Sequence, residues 1–228
     1  MNSGSMMREE ITKALAERKL ITIVRGVLAE QILPLAGALY EGGIRFMEVT
    51  FDPSGKCSDE ETARKIALLC EKYGDRMYFG AGTVLTVQQV ACAKEAGAEY
   101  IISPDTNPAV IRKTKELGML SMPGAFTPTE AMVAHTAGAD YVKLFPVGEL
   151  GVSYFKAVRA PLNHLKLLAV GGVSLSNIAD YLAAGAYGFG IGSSLVDKKM
   201  IERGSFDEIT KLAAKYVQAV EHAAERLS

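Results

Sequence analysis

A punctuated repeat constrains this chain more than any other feature. A helical stretch ends in glycine, a short apolar run follows, and a loop rich in Gly, Pro, Ser or Thr closes the unit. The pattern reads EGGIRFMEVT (41–50), EAGAEYIISP (95–104), ELGMLSMP (116–123), TAGADYVKLFP (136–146) and AAGAYGFGIG (183–192). Each glycine stands where a helix C-terminus calls for left-handed backbone, and the apolar residues after it have strand length. ITIVRG (21–26), MYFGAG (77–82) and LKLLAVGG (165–172) complete a set of eight strands. Between them, EQILPLAGALYE, DEETARKIALLCEKY, TVQQVACAKEA and NPAVIRKTKE space their apolar residues by three and four, as amphipathic helices do. Apolar strands alternating with helices imply a parallel sheet covered by helices, and eight such units favour closure into a single (β/α)8 barrel of the α/β class. An open doubly wound sheet is the alternative, but the GxGxxG that would follow its first strand is missing.

The 228 residues, 49% of them hydrophobic, suffice for one large core. A single domain is expected over 11–228, with residues 1–10, opening MNSGSM, set apart as a disordered or tag-like start. With 25 basic and 26 acidic residues the net charge is −1, and no basic patch speaks for nucleic acid or an anionic membrane as partner. No apolar run reaches the roughly 18 residues of a membrane span. Cys57, Cys70 and Cys92 form no CxxC pair and are odd in number, which argues against a disulfide framework and a zinc site and fits a cytoplasmic location.

In a barrel of this kind the reacting groups sit at the C-terminal ends of the strands. Strand alternation in YVKLF puts Tyr141, Lys143 and Phe145 on one face, and an amine inside so apolar a strand is lowered in pKa, the condition for attack on a ketone. The alternative is a lysine at a strand end that reaches solvent. In IRFMEV the same alternation groups Phe46, Glu48 and Thr50, placing a carboxylate inside the barrel as a proton carrier, unless it merely pairs with Arg25 or Arg45. Arg25 shares a face with Ile21 and Ile23, and its fork suits a carboxylate or phosphate. Thr83, after the third strand, is a candidate carboxylate donor, and Thr86 stands at a helix N-cap. AVGGVS (169–174) and GFGIGSS (188–194) end the seventh and eighth strands, where backbone N–H groups of a barrel commonly hold phosphate; small residues that only ease tight turns would read the same.

MEVT around Glu48, GAGTVLT around Thr83, ISP at Ser103 and Pro104, PG at Pro123 and Gly124, VKLFP around Lys143, and VGGVS from Val170 to Ser174 together resemble the 2-keto-3-deoxy-6-phosphogluconate and 4-hydroxy-2-oxoglutarate aldolase family. The resemblance runs from about Ile11 to near the C-terminus. It implies a class I aldolase in which Lys143 forms an imine with the substrate's C2 ketone and Glu48 moves protons. Thr83, Pro104 and Phe145 would line the pyruvate end, and Gly171, Gly172, Gly192 and Ser193 would hold the phosphate of a small phosphorylated keto-acid. It further implies a homotrimer that uses neither metal nor organic cofactor. Two positions depart from the family pattern. Asp52 stands where well-known members carry an Arg that binds the substrate carboxylate, so that role passes to Arg25 in IVRG. Val170 stands where gluconate-specific members carry Thr, which predicts weaker discrimination at C4 or acceptance of the galactonate epimer. Two other readings share these residues: a phosphosugar isomerase or epimerase with Glu48 as base, and a phosphosugar-binding barrel without activity.

Overall fold

A computed structural model describes residues 3–227. Among these, strands and helices alternate as β1 (Leu20–Val24), α2 (Ala29–Glu41), β2 (Phe46–Thr50), α3 (Asp59–Tyr73), β3 (Tyr78–Gly82), α4 (Val87–Glu95), β4 (Tyr100–Ile102), α5 (Pro108–Glu116), β5 (Leu120–Met122), β6 (Gly124–Ala125), α6 (Pro128–Thr136), β7 (Val142–Leu144), α7 (Gly151–Arg159), β8 (Leu167–Val170), α8 (Ile178–Ala183) and β9 (Gly188–Ile191). Helix α1 (Ser3–Arg18) precedes this series, and α9 (Lys198–Glu202) and α10 (Phe206–Glu225) follow it. Every strand pairing is parallel, in the order β5-β4-β3-β2-β1-β9-β8-β7-β6.

The eight strands legible in the sequence become nine segments because the fifth is divided at Pro123, a residue with no N–H to give to a ladder. Its first half pairs with β4 and its second half with β7, so the chain itself joins the two edges and the sheet closes as a barrel. Across the break the Lys143 N–H donates to Pro123 O at 2.9 Å. The glycines of the repeat do what the pattern requires of them. Gly43, Gly97, Gly118, Gly138 and Gly185 have φ of 91°, 94°, 77°, 103° and 91°, and each turns a helix end into the next strand.

Strand alternation divides the apolar residues into two layers. Val24, Met47, Val49, Phe79, Ala81, Val142, Leu144, Leu167 and Ala169 pack outward beneath the helices. Ile21, Phe46, Tyr100, Leu120, Met122, Tyr141, Leu168 and Val170 point inward, together with Ile11 and Leu15 of α1. Helix α1 therefore plugs the N-terminal end of the barrel. Arg8 pairs with Asp140 at 2.7 Å, and Tyr141 Oη donates to Thr12 O at 3.4 Å. The boundary drawn at residue 10 falls inside this helix, which begins at Ser3; Met1 and Asn2 lie outside the described residues. Among the side chains described in this helix, Ile11, Ala14 and Leu15, spaced by three and one, mark the buried face, too short a run for periodicity to register. Among the described residues no helix is long and apolar enough to cross a membrane.

Candidate active site

The opposite end of the barrel is built differently. Glu48 lies mid-strand in β2, in register with Ile23 of β1 and Gly80 of β3, and its side chain is 1% exposed. The neighbouring strand makes room for it. A Cβ on Gly82 would stand 2.4 Å from Glu48 Oε1, and one on Gly80 would stand 2.2 Å from the ring of Tyr100. Two inward-facing glycines on β3 thus open the space that the carboxylate and the tyrosine ring fill. A side chain at either position would expel its neighbour.

Lys143 projects from β7 on the far side of the barrel and is 7% exposed. Its Nζ sits 4.6 Å from the centroid of the Phe145 ring, two residues along the same face. Burial lowers the pKa of this amine; Glu48 acts in the opposite sense and Arg25 reinforces the lowering. Burial likewise pushes Glu48 up to about 7, against the pull of Lys143 and then Arg25. The two groups feel each other's charge without an ion pair between them. Glu48 Oε2 is buried with no hydrogen-bond partner, and the hydroxyl of Thr50 is in the same condition. Orphaned polar atoms are costly in an interior, and Glu48 and Thr50 leave theirs two residues apart on the inward face of one strand.

Neither arginine neutralises Glu48. Arg25 Nη2 donates to Thr83 Oγ1 at 2.9 Å, whereas Arg45 donates to the carbonyls of Tyr40 and Ile44 and stacks on the Tyr40 ring at 4.3 Å. Thr83 holds φ at 54°, a left-handed conformation unusual for a residue branched at Cβ, which turns its hydroxyl toward Arg25. Thr86 then caps α4 by accepting from Gln89 N. Pro104 follows β4, half-buried, its carbonyl so close to Gly124 that a Cβ there would meet it at 2.3 Å.

The double glycine has a packing role of its own. Gly171 and Gly172 have φ of 82° and 84°, and a Cβ on Gly172 would stand 2.5 Å from Gly148 Cα, whose N–H donates to Gly171 O at 2.8 Å. Asn177, which no sequence pattern singled out, fastens this loop: its Oδ1 accepts from Ser174 N, and its Nδ2 donates to Gly172 O. Beside it, Gly192 is open, with nothing closer than 3.9 Å to a built Cβ, and Ser193 is exposed. The Ser194 hydroxyl is already engaged with Val173 O at 3.2 Å. Val170 is 4% exposed and lies inside the barrel top against Gly190.

Asp52 folds its own loop. Its carboxylate accepts from Ser54 N at 2.9 Å, from Ser54 Oγ at 2.7 Å and from Cys57 N at 3.2 Å, and the Ser54 hydrogen bonds hold its pKa below the usual range.

A parallel barrel with a desolvated lysine and an unpaired carboxylate among its inward-facing strand positions has the layout of a (β/α)8-barrel enzyme. The particular family follows from comparison with known proteins. The family model described as KDPG and KHG aldolase matches residues 11–212. The probable 2-dehydro-3-deoxy-6-phosphogalactonate aldolase of Rhizobium meliloti is 44% identical over 78% of this chain and 82% of its own. The 2-dehydro-3-deoxy-phosphogluconate aldolase of Haemophilus influenzae is 33% identical over 95% and 99%. A crystal structure of KDPG aldolase from Legionella pneumophila, with pyruvate captured as a covalent carbinolamine, superposes with a TM-score of 0.79 at 28% identity, covering 89% of this chain and 96% of that one. The chain belongs to the KDPG and KHG aldolase family and is an aldehyde-lyase.

Proposed function

We propose that Lys143 is the Schiff-base nucleophile and Glu48 the acid and base in cleavage of a phosphorylated 2-keto-3-deoxy sugar acid to pyruvate and an aldehyde phosphate. The observation that carries this reading is the pair itself, an amine and a carboxylate buried in one barrel mouth without an ion pair to neutralise either. The neutral amine adds to the C2 ketone, and the carbinolamine loses water to give a protonated imine. Loss of the C4 hydroxyl proton releases the aldehyde as the C3–C4 electron pair passes to the imine. Protonation of the resulting enamine at C3 and hydrolysis free pyruvate. A carboxyl group with a pKa of about 7 can both take and return these protons near neutrality.

Arg25 and Thr83, already hydrogen-bonded, serve the substrate carboxylate, and Phe145 and Pro104 close the pyruvate end. The backbone at Gly171 and Gly172, packed against Phe145 and Gly148, together with the open backbone at Gly192 and the exposed Ser193, serves the phosphate. Val170 offers no hydroxyl to the C4 centre, which favours the galactonate epimer, in keeping with the name of the 44% identical relative. By resemblance to the family the working form is a cytoplasmic homotrimer, which light scattering on the purified protein tests. The chemistry is tested by intact-mass spectrometry after incubation with pyruvate and sodium borohydride. The expected result is a pyruvate-sized adduct on the wild type and none on Lys143→Ala. No adduct on the wild type removes the Schiff-base assignment.

A further inference from the structure

Four threonines are buried among the described residues, and they divide by what their hydroxyls meet. Thr114 donates to Val110 O at 2.8 Å, and Thr62 Oγ1 lies 3.5 Å from Cys57 Sγ. Thr22 and Thr50 hold buried hydroxyls with no partner. Thr22 pairs in register with Met47 and Ile191, both of the layer beneath the helices, so its orphan faces away from the barrel interior. Thr50, 6% exposed, is the last residue of β2 and faces inward, two residues toward the mouth from Glu48. Gly82 joins the two side chains. From the point where its Cβ would stand, Glu48 Oε1 is 2.4 Å away and Thr50 Cγ2 3.0 Å. The carboxyl group and the threonine therefore adjoin each other in the space that a side chain on Gly82 would take, and each carries an orphaned oxygen. A valine would suit this strand position and spare the fold an unsatisfied hydroxyl.

We propose that Thr50 is a positioning residue for Glu48, its hydroxyl fixing the angle of the carboxyl group through both of its protonation states. The proposal rests on the reading of Glu48 as acid and base given above. A hydroxyl suits this task because it donates to a carboxylate and accepts from a carboxylic acid. One staggered step about the Thr50 Cα–Cβ bond places the hydroxyl where the methyl group now stands, beside Gly82 and Glu48 Oε1. The other groups acting on Glu48 are charges or titrate far from neutrality: Lys143 of β7 and Arg25 after β1 lower its pKa, and the Tyr100 phenol of β4 is itself raised by Glu48. Thr50 adds direction rather than charge. Its bond to the charged form is the stronger, so it favours the carboxylate and works against the burial that raises the Glu48 pKa.

The test is pyruvate release from 2-keto-3-deoxy-6-phosphogalactonate, followed against pH for wild type, Thr50→Val, Thr50→Ser, Thr22→Val, Glu48→Gln and the Thr50→Val, Glu48→Gln double variant. Thr50→Val should lower kcat about tenfold, the worth of one hydrogen bond to a charged group, with KM changed less than about twofold. Thr50→Ser should restore kcat to within about twofold of wild type. The acid-side limb of kcat/KM, set by Glu48, should move to higher pH by up to about one unit in Thr50→Val. Urea midpoints of Thr50→Val and Thr22→Val should equal or exceed that of wild type, because each loses an orphaned hydroxyl, and Thr22→Val should keep wild-type kinetics. In the Glu48→Gln background Thr50→Val should cost less than about twofold further. A wild-type kcat and pH profile in Thr50→Val, a change confined to KM, a loss of equal size in both backgrounds, a matching loss in Thr22→Val or no rescue by Thr50→Ser overturns the proposal and leaves Glu48 in its role. A wild-type kcat in Glu48→Gln removes the reading of Glu48 and the proposal with it.

Discussion

The two ends of the barrel interior differ in what they do with burial. At the N-terminal end Ile11 and Leu15 of α1 pack on Ile21, Phe46, Tyr141 and Leu168, and Phe46 stacks on Tyr78 with centroids 4.8 Å apart. At the C-terminal end the inward positions become Glu48, Thr50 and Lys143, with Arg25 just past β1, and the buried oxygens Glu48 Oε2 and Thr50 Oγ1 lack partners. Buried carboxylates sharpen the contrast. Glu99, just ahead of β4 at the plugged end, is also pushed up to about 7 by burial, but it accepts a hydrogen bond from Phe79 N at 3.2 Å. Glu48 has the same perturbed pKa with no partner at Oε2 and two cations facing it. A shifted carboxylate therefore marks desolvation, and only its surroundings distinguish a structural group from a chemical one.

The largest effect should come from Glu48→Gln, which keeps the volume and removes the titration. Steady-state kinetics should show kcat lowered by ~10²–10⁴-fold, the span of general acid–base catalysis. The stability consequence has the opposite sign at high pH. The unfolded glutamate releases its proton near pH 4.5 and the folded one near 7, so between these values the folded state holds more protons and the wild type loses stability as pH rises. The loss approaches roughly 3 kcal/mol above pH 7 and does not occur in the glutamine variant. Urea melts at pH 5 and pH 8 should therefore bring out a variant more stable than the wild type at the higher pH. Equal stabilities at both would mean that Glu48 is not desolvated and would erase the difference between the two ends.

The complementary change belongs at the plug. Leu15 is fully buried beneath the barrel, and Leu15→Ala should cost ~2–5 kcal/mol in denaturant melts, with an unchanged pH profile of kcat/KM where the protein remains folded. A change in that profile would show that the plug and the mouth are coupled.

How much of this contrast is legible in the sequence depends on whether a local signal carries it. The eight strands, their inward and outward faces and the inward placement of Lys143 and of Glu48 all follow from glycine punctuation and period-two alternation, signals within reach of ten residues. The plug does not, because among its described side chains the buried face rests on Ile11, Ala14 and Leu15 alone, too short a run for periodicity to show. Closure through Pro123 is equally hidden, since which strand pairs across a proline is decided by residues far apart in the chain. The spacing role of Gly80 and Gly82 was invisible for the same reason, being defined by Tyr100 and Glu48 on the adjacent strands. Asp52 stands out as a departure from the family pattern, but its use inside its own loop appears only when Ser54 and Cys57 fold back onto its carboxylate.

The smallest effect, and the most specific, concerns Val170 at the rim between the two regions. The side chain is inward-facing and 4% exposed, packed so that a Cβ on Gly190 would stand 2.9 Å from its Cγ2. Val170→Thr preserves shape and adds one hydroxyl, which costs about 1–2 kcal/mol of stability if the group finds no protein partner. In the enzyme–substrate complex that hydroxyl can distinguish the two C4 configurations, because only one of them offers its own hydroxyl on that side. The ratio of kcat/KM for the gluconate and galactonate epimers should shift toward gluconate by up to ~10-fold, within the range that one hydrogen bond supplies. An unchanged ratio would place Val170 with the apolar floor and move the choice of epimer to another part of the mouth.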